Sequence, residues 1–191
     1  MTTFRSKGNH TIVGIDPANQ GALVVLQGST VPLVVLWRKA THKKKPVFKV
    51  SYSHLNSNVA KQSMCRTSAH IGSLVSSIPI LSKVNGISIE DCYLARNVKT
   101  TISLARFAGS ISAPLVVKSG FNPCYVKPTE WRKLVMGLNQ RTNRENAKRL
   151  SLSMMPKIVP SIDHHLDILG KHDHITDALG IAVWLAMSKN Y

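Results

Sequence analysis

A chain of 191 residues that is 43% hydrophobic and 18% charged fits one globular domain, 1–191, with a core of its own. Its three cysteines, Cys65, Cys92 and Cys124, show neither C-x-x-C nor zinc spacing, which argues against a disulfide scaffold and for a reducing compartment. The formal charge of +16, from 25 Lys and Arg against nine Asp and Glu, draws the chain to polyanions such as nucleic acid or an anionic membrane surface. No run of about 18 uncharged apolar residues is present to cross a membrane, and the first eight residues lack the hydrophobic core of a secretory signal.

Residues 11–16, 22–26 and 31–37 are β-branched and aliphatic runs separated by turn residues, and predict an antiparallel meander. A basic loop is expected over 38–49, with a further short strand possible in pattern at 47–52. The spacing of Val59, Met64, Ile71, Leu74, Val75 and Ile78 predicts a helix over 58–78 that Pro79 ends. Strand follows at 86–93, helix at 100–111, and a doubly buried strand at 114–118. Pro128 opens a helix that stops near Gly137, and Thr142 with Glu145 fits a capping box for a helix over 143–155. The polar stretch 161–171 is expected to be loop with at most a short turn, and 173–188 the last helix. This order predicts an α/β layer fold with a mixed sheet.

The scarce carboxylates fall at telling places. Asp16 ends the run Ile12-Val13-Gly14-Ile15-Asp16, Glu90 closes a second apolar run, and Asp173 and Asp177 stand one helical turn apart at the start of the last helix. Carboxylates gathered on a basic protein make most sense where Mg²⁺ turns repulsion of phosphate into attraction. Phosphodiester hydrolysis uses one cation to deprotonate water and another to steady the leaving oxygen, about 3.5 to 4 Å apart, with a bridging carboxylate; Asp16 on a central strand is the natural bridge. Taken singly, each acid has a plainer reading: Asp16 before Pro17 as a turn residue, Asp173 and Asp177 as acids at a helix N-terminus. Asp91 is set aside because strand alternation turns it away from Glu90, and Asp163 and Asp167 because they read as solvated loop.

Three blocks in order carry a family resemblance. They are Gly14-Ile15-Asp16-Pro17 with Gly21-Ala22-Leu23; Ile89-Glu90-Asp91-Cys92-Tyr93-Leu94-Ala95-Arg96-Asn97 leading to Leu104-Ala105-Arg106-Phe107-Ala108-Gly109; and Thr176-Asp177-Ala178-Leu179-Gly180-Ile181-Ala182. Together they resemble the ribonuclease H superfamily, and within it the RuvC-like Holliday junction resolvases; Pro128-Thr129-Glu130-Trp131-Arg132-Lys133 and the helix after it look like the plant organellar and phage-type relatives. The resemblance implies a ribonuclease H-like α/β fold with a central mixed five-stranded sheet flanked by helices.

It also implies a metal-dependent, structure-selective endonuclease that resolves four-way DNA junctions by paired symmetrical nicks. The expected cofactor is Mg²⁺, two per site with Mn²⁺ able to substitute, held by Asp16, Glu90, Asp177 and either His174 or Asp173. His174 stands where the family's commoner pattern has an acid, whereas metal chemistry favours the oxygen ligand Asp173. Tyr93 matches an aromatic placed near the junction centre; Lys127, Arg132, Lys133, Arg144 and Lys148 match cationic positions, and Lys43, Lys44 and Lys45 are expected on DNA backbone. The implied partners are branched DNA and a second copy of the chain, with no membrane, in an intracellular setting: cytoplasm, nucleoid, infected cell or organelle. The rival readings are a broader flap or RNA–DNA hybrid nuclease, and a catalytically inactive junction binder of the same fold.

Overall fold

A computed structural model describes residues 3–6, 8–91, 98–138 and 142–191, the side chain of Arg144 excepted. Seven strands form one mixed sheet: β1 (Thr11–Asp16), β2 (Gly21–Gln27), β3 (Thr30–His42), β4 (Lys45–His54), β5 (Lys61–Cys65), β6 (Gly86–Glu90) and β7 (Cys124–Val126). Their order across the sheet is β5-β4-β3-β2-β1-β6-β7, with β1 to β5 an antiparallel meander and β6 and β7 running parallel to β1. Six helices cover it: α1 (Ser68–Ser76), α2 (Val98–Ser119), α3 (Pro128–Met136), α4 (Arg144–Ile158), α5 (Ile162–Leu169) and α6 (Asp173–Ser188).

The central strands are apolar on both faces because both faces are covered. Ile12, Ala22, Val24 and Leu26 pack against α6 and its neighbours, while Val13, Ile15, Leu23 and Val25 pack against α1 and α2. Gly14 sets the approach of α6: a Cβ there would lie 2.1 Å from the Ala178 carbonyl oxygen. Ser88 fastens the same contact by donating to the Ile181 carbonyl at 3.0 Å. In consequence the first turn of α6 is held beside the end of β1.

The sheet has seven strands where five were expected. Residues 38–49, expected as loop, complete a long β3–β4 hairpin, and the front of the expected 58–78 helix is β5, with α1 only from Ser68. Lys61, Gln62 and Met64 suit an edge strand, exposed on one side, as well as they suit a helix, so their pattern could not decide. The apolar run 114–118 lies inside α2 rather than in a strand; Phe107, Ala108, Ile111 and Leu115 meet the sheet at helical spacing, and α1 presses on this stretch through Gly72. Residues 161–171 hold α5, fixed by the fully buried His165, which donates to the Val31 carbonyl and accepts from Ser53 Oγ, each at 2.6 Å. Asn143 rather than Thr142 caps α4, its side chain accepting from Asn146 N at 2.8 Å, and that helix continues through Pro156 to Ile158. One helix, α2, is long and apolar enough by length and composition to cross a membrane, although Lys99, Arg106 and Lys118 interrupt it and one face docks on the sheet.

Candidate active site

Strand register places the first two acids side by side. In the parallel pair β1–β6, Ile15 lies opposite Ile89, so Asp16 and Glu90 are the next residues at the same end of adjacent strands. Alternation sends both to the α6 face, since Gly14 meets Ala178 and Ser88 meets Ile181 on that face two residues earlier. Asp177, on the buried side of α6, completes a group drawn from three distant segments.

Burial and mutual repulsion shape their ionisation. Burial first, then the charges of Asp16 and Asp177, push Glu90 up to about 8, against the opposing pull of Arg132 and of the Trp131 indole. Burial, with Asp16 and Asp173 adding to it, raises Asp177 to about 6 despite Arg132 and a hydrogen bond from Ser151. These are the shifts expected of carboxylates crowded together without enough positive charge among them.

The protein's own donors occupy the remaining lone pairs. His174 Nδ1 donates to Asp16 Oδ2 at 2.6 Å, Trp131 Nε1 to Glu90 Oε2 at 3.3 Å, and Arg132 Nη2 to Asp177 Oδ2 at 3.1 Å, while Ser151 Oγ reaches Asp177 Oδ1 at 3.0 Å. Burial works to lower the His174 pKa, but its bond to Asp16 and the charges of Asp16 and Asp173 override this and raise it. Asp173 turns to Lys148 of α4 in an ion pair; burial would raise its carboxyl, yet Lys148 and His174 bring it below its ordinary value. Asp16, Glu90, Asp177 and His174 are thus gathered by direct contact or close charge, and Asp173 flanks them. Among the described residues, no three His, Cys, Asp or Glu side chains are drawn in tightly enough to form a ready-made cation cage. Arg132, His174 and the Trp131 N–H hold the positions that neutralise the acids.

Several residues that build this site are not acids and escaped the sequence pattern. Trp131 is fully buried, and Gly180 makes room for it: a Cβ at Gly180 would lie 2.3 Å from the indole ring. Ser151 is fully buried between Ala147 and Met155 on α4, so a hydroxyl interrupts a buried stripe at four-residue spacing, and that break was the available signal.

No protein-family model matches the chain. A curated relative, the crossover junction endodeoxyribonuclease RuvC of Aliarcobacter butzleri (strain RM4018), is 36% identical over 104 residues, 53% of this chain and 58% of that protein. The structure of T. thermophilus RuvC in complex with Holliday junction substrate superposes with a TM-score of 0.56 and 13% identity over 95% of each chain. The fold is similar to that of RuvC. A second structure, of Thermus thermophilus RuvC, matches at a TM-score of 0.49 and 15% identity, covering 94% of this chain and 95% of that one. The sheet and helices accordingly form a RuvC-like, ribonuclease H-like α/β fold, and the matching sequence spans under two thirds of the curated relative's length.

In this RuvC-like frame the expected DNA-contacting residues separate. Lys43, Lys44, Lys45, Lys127 and Lys133 are exposed. Arg132 and Lys148 are instead partners of Asp177 and Asp173 within the acid cluster. Tyr93 and the side chain of Arg144 lie outside the described residues.

Proposed function

We propose that this chain is a divalent-metal-dependent endonuclease that cuts four-way DNA junctions. The observation that carries the reading is the convergence of Asp16, Glu90 and Asp177 at one end of the central strands, where burial first and the charges of Asp16 and Asp177 second push the Glu90 carboxyl up to about 8. A donor set of carboxylate oxygens with one imidazole fits a hard cation such as Mg²⁺ or Mn²⁺, and a basic chain has little other use for buried acids that repel phosphate. Asp16, Glu90 and Asp177 would hold the cations, with His174 the fourth member in preference to Asp173, because His174 already touches Asp16 while Asp173 is engaged by Lys148. Bound cations would supply a water of lowered pKa and neutralise charge building on the scissile phosphate.

The chain's own residues do the rest. Asp16 and Glu90, on neighbouring strands, fix one wall of the site, and Trp131 holds the Glu90 carboxylate in place. Arg132 and Lys148 neutralise acids in the free protein and are close enough to turn to phosphate oxygens when those acids find other partners. In the same reading Tyr93 stands near the junction centre, where it would stack on an unpaired base, and Lys127, Lys133 and Arg144 stand near the scissile phosphate. Two opposed strands must be nicked, which suits a two-fold homodimer. Val98 and Ile102, one turn apart at the start of α2, are exposed and available to a second copy. Such a protein acts where cellular DNA is.

The test is cleavage of labelled four-way, three-way, flap, linear duplex and RNA–DNA hybrid substrates, with Mg²⁺ or with EDTA. Paired nicks confined to the four-way junction and dependent on Mg²⁺ are expected, with His174→Ala raising the Mg²⁺ requirement and Asp173→Asn changing it little. Equal cutting of flaps or hybrids would replace the junction reading with the broader nuclease, and junction binding without cutting would leave an inactive binder.

A further inference from the structure

The β3–β4 hairpin outruns the sheet that supports it. Pairing of β2 with β3 stops at Gly21 and Trp37, and pairing of β5 with β4 stops at Cys65 and Phe48. Beyond these points residues 40–42 and 45–47 pair only with each other, forming a two-stranded ribbon that extends roughly 10 Å at about 3.3 Å per residue before its turn. Its root is rigid: the Phe48 ring meets Phe107 of α2 edge-on at 5.4 Å, and Trp37 lies 6.3 Å from the same ring.

Its tip is strained for the sake of charge. The last pair is His42 with Lys45, leaving a two-residue turn in which Lys43 and Lys44 both take left-handed backbone, at φ 47° and 63°. Such turns favour Asn-Gly, because lysine has a Cβ that opposes positive φ and no short polar group to offset it. Lys45 joins Lys43 and Lys44 at the tip, Lys39 stands at the root of the ribbon opposite Phe48, and no acid lies anywhere between Asp16 and Glu90 in sequence.

The ribbon also springs from the end of the sheet that holds the acids. Trp37 Nε1 donates to the carbonyl of Ala18, two residues past Asp16, and Arg38 Nη1 lies 3.4 Å from Nε2 of His172, the residue before Asp173. A duplex whose backbone reaches those acids therefore runs past the ribbon, and a two-stranded ribbon is of a width the major groove of B-form DNA admits.

We propose that residues 40–47 are an arm that enters the major groove of the DNA duplex flanking the cleavage site, with Lys43, Lys44 and Lys45 on its phosphates. This rests on the junction-nuclease reading and adds to it the contact that seats the duplex. The test is the double substitution Lys43→Asn and Lys44→Gly, which installs the dipeptide the turn favours and removes two charges. Binding to an immobile four-way junction is measured in EDTA across a salt series, guanine N7 is probed with dimethyl sulfate, and thermal unfolding is followed without DNA.

The arm predicts a melting temperature equal to or above wild type, weaker binding, a log–log salt slope reduced by about 1.8, at about 0.9 per phosphate contact, and loss of N7 protection on the flanking arm. Substituting Arg at both positions should restore slope and protection. Unchanged slope and protection in the Asn-Gly variant would overturn the arm while leaving the nuclease reading intact. Wild type that binds linear duplex as tightly as junction, with the slope still lost in the variant, would support the arm and overturn junction selectivity. Tighter wild-type binding to duplex RNA, whose deep and narrow major groove cannot take a ribbon, would overturn the arm.

Discussion

The two flanks of the sheet solve opposite electrostatic problems. Where β1 and β6 end, acids are buried together: Asp16 and Asp177 are nearly inaccessible, and burial, reinforced by the charges of Asp16 and Asp177, raises Glu90 to about 8. On the β3–β4 side, like charges are exposed together: Lys43, Lys44 and Lys45 sit at the tip of a ribbon in solvent, where screening makes their repulsion small. Buried repulsion costs stability and persists only where a ligand of opposite sign relieves it. Exposed repulsion costs little, and the strain appears in the backbone instead. The acid flank is therefore read as a cation site and the basic flank as a phosphate contact, and both lie at the same end of the strands.

The sharpest way to separate the flanks is Asp16→Asn. Cleavage of a four-way junction should fall by on the order of a thousandfold or more, as for removal of a central catalytic group, while junction binding in EDTA is kept or improved because a charge facing phosphate is gone. Near-normal cleavage would remove Asp16 from the site.

Gly14→Ala tests whether the acid flank depends on the close approach of α6. The added methyl meets backbone at Ala178 rather than a flexible side chain, so an overpacking cost of about 3 kcal/mol is expected in denaturant unfolding, with cleavage lost and ribbon-dependent DNA binding weakened only as far as the fold is. Unaltered stability would mean that α6 is not seated by Gly14.

Smaller in effect is Trp131→Phe, which keeps an aromatic side chain in the core but removes the N–H on Glu90 together with part of the buried indole against Gly180. The Mg²⁺ concentration for half-maximal cleavage should rise by about tenfold, the usual scale for an outer partner of a metal ligand, beyond a stability loss of about 1 to 2 kcal/mol from the smaller ring, with the salt dependence of DNA binding unchanged. A drop in stability with no change in Mg²⁺ requirement would make Trp131 a packing residue alone.

The sequence disclosed the acid flank better than the basic one for a physical reason. An acid at the end of a doubly buried strand, as at Asp16, contradicts its surroundings and is visible one residue at a time. The helix acids needed only 3.6-residue spacing, and α3 and α6 begin where Pro128 and Asp173 indicate. The partners of those acids are set by contacts between segments: Trp131 to Glu90 is 41 residues apart and Ser151 to Asp177 is 26. The hairpin was hidden because a Lys-Lys type of turn carries none of the Gly or Asn signal that marks a tight connection, so 38–49 read as loop. The 114–118 run of α2 failed differently: its β-branched residues have strand propensity, and packing against the sheet overrode it.

Crowding of acids that only a cation relieves is the centre of the account, and thermal unfolding at pH 8 of wild type and Glu90→Gln, in EDTA and in Mg²⁺, measures it directly. A carboxyl raised from 4.5 to about 8 on folding takes up a proton that the unfolded chain lacks above pH 4.5. The folded state of metal-free wild type therefore loses stability as pH climbs from about 4.5 to 8, and Asp177 adds to the same trend up to about 6. Glu90→Gln, which keeps an oxygen for Trp131 and has no charge to repel, should melt above wild type in EDTA at pH 8 and at the same temperature at pH 4. Mg²⁺ should raise the melting temperature of wild type and leave the variant nearly unmoved. A variant that melts below wild type in EDTA at pH 8, with wild type indifferent to Mg²⁺, would contradict the account.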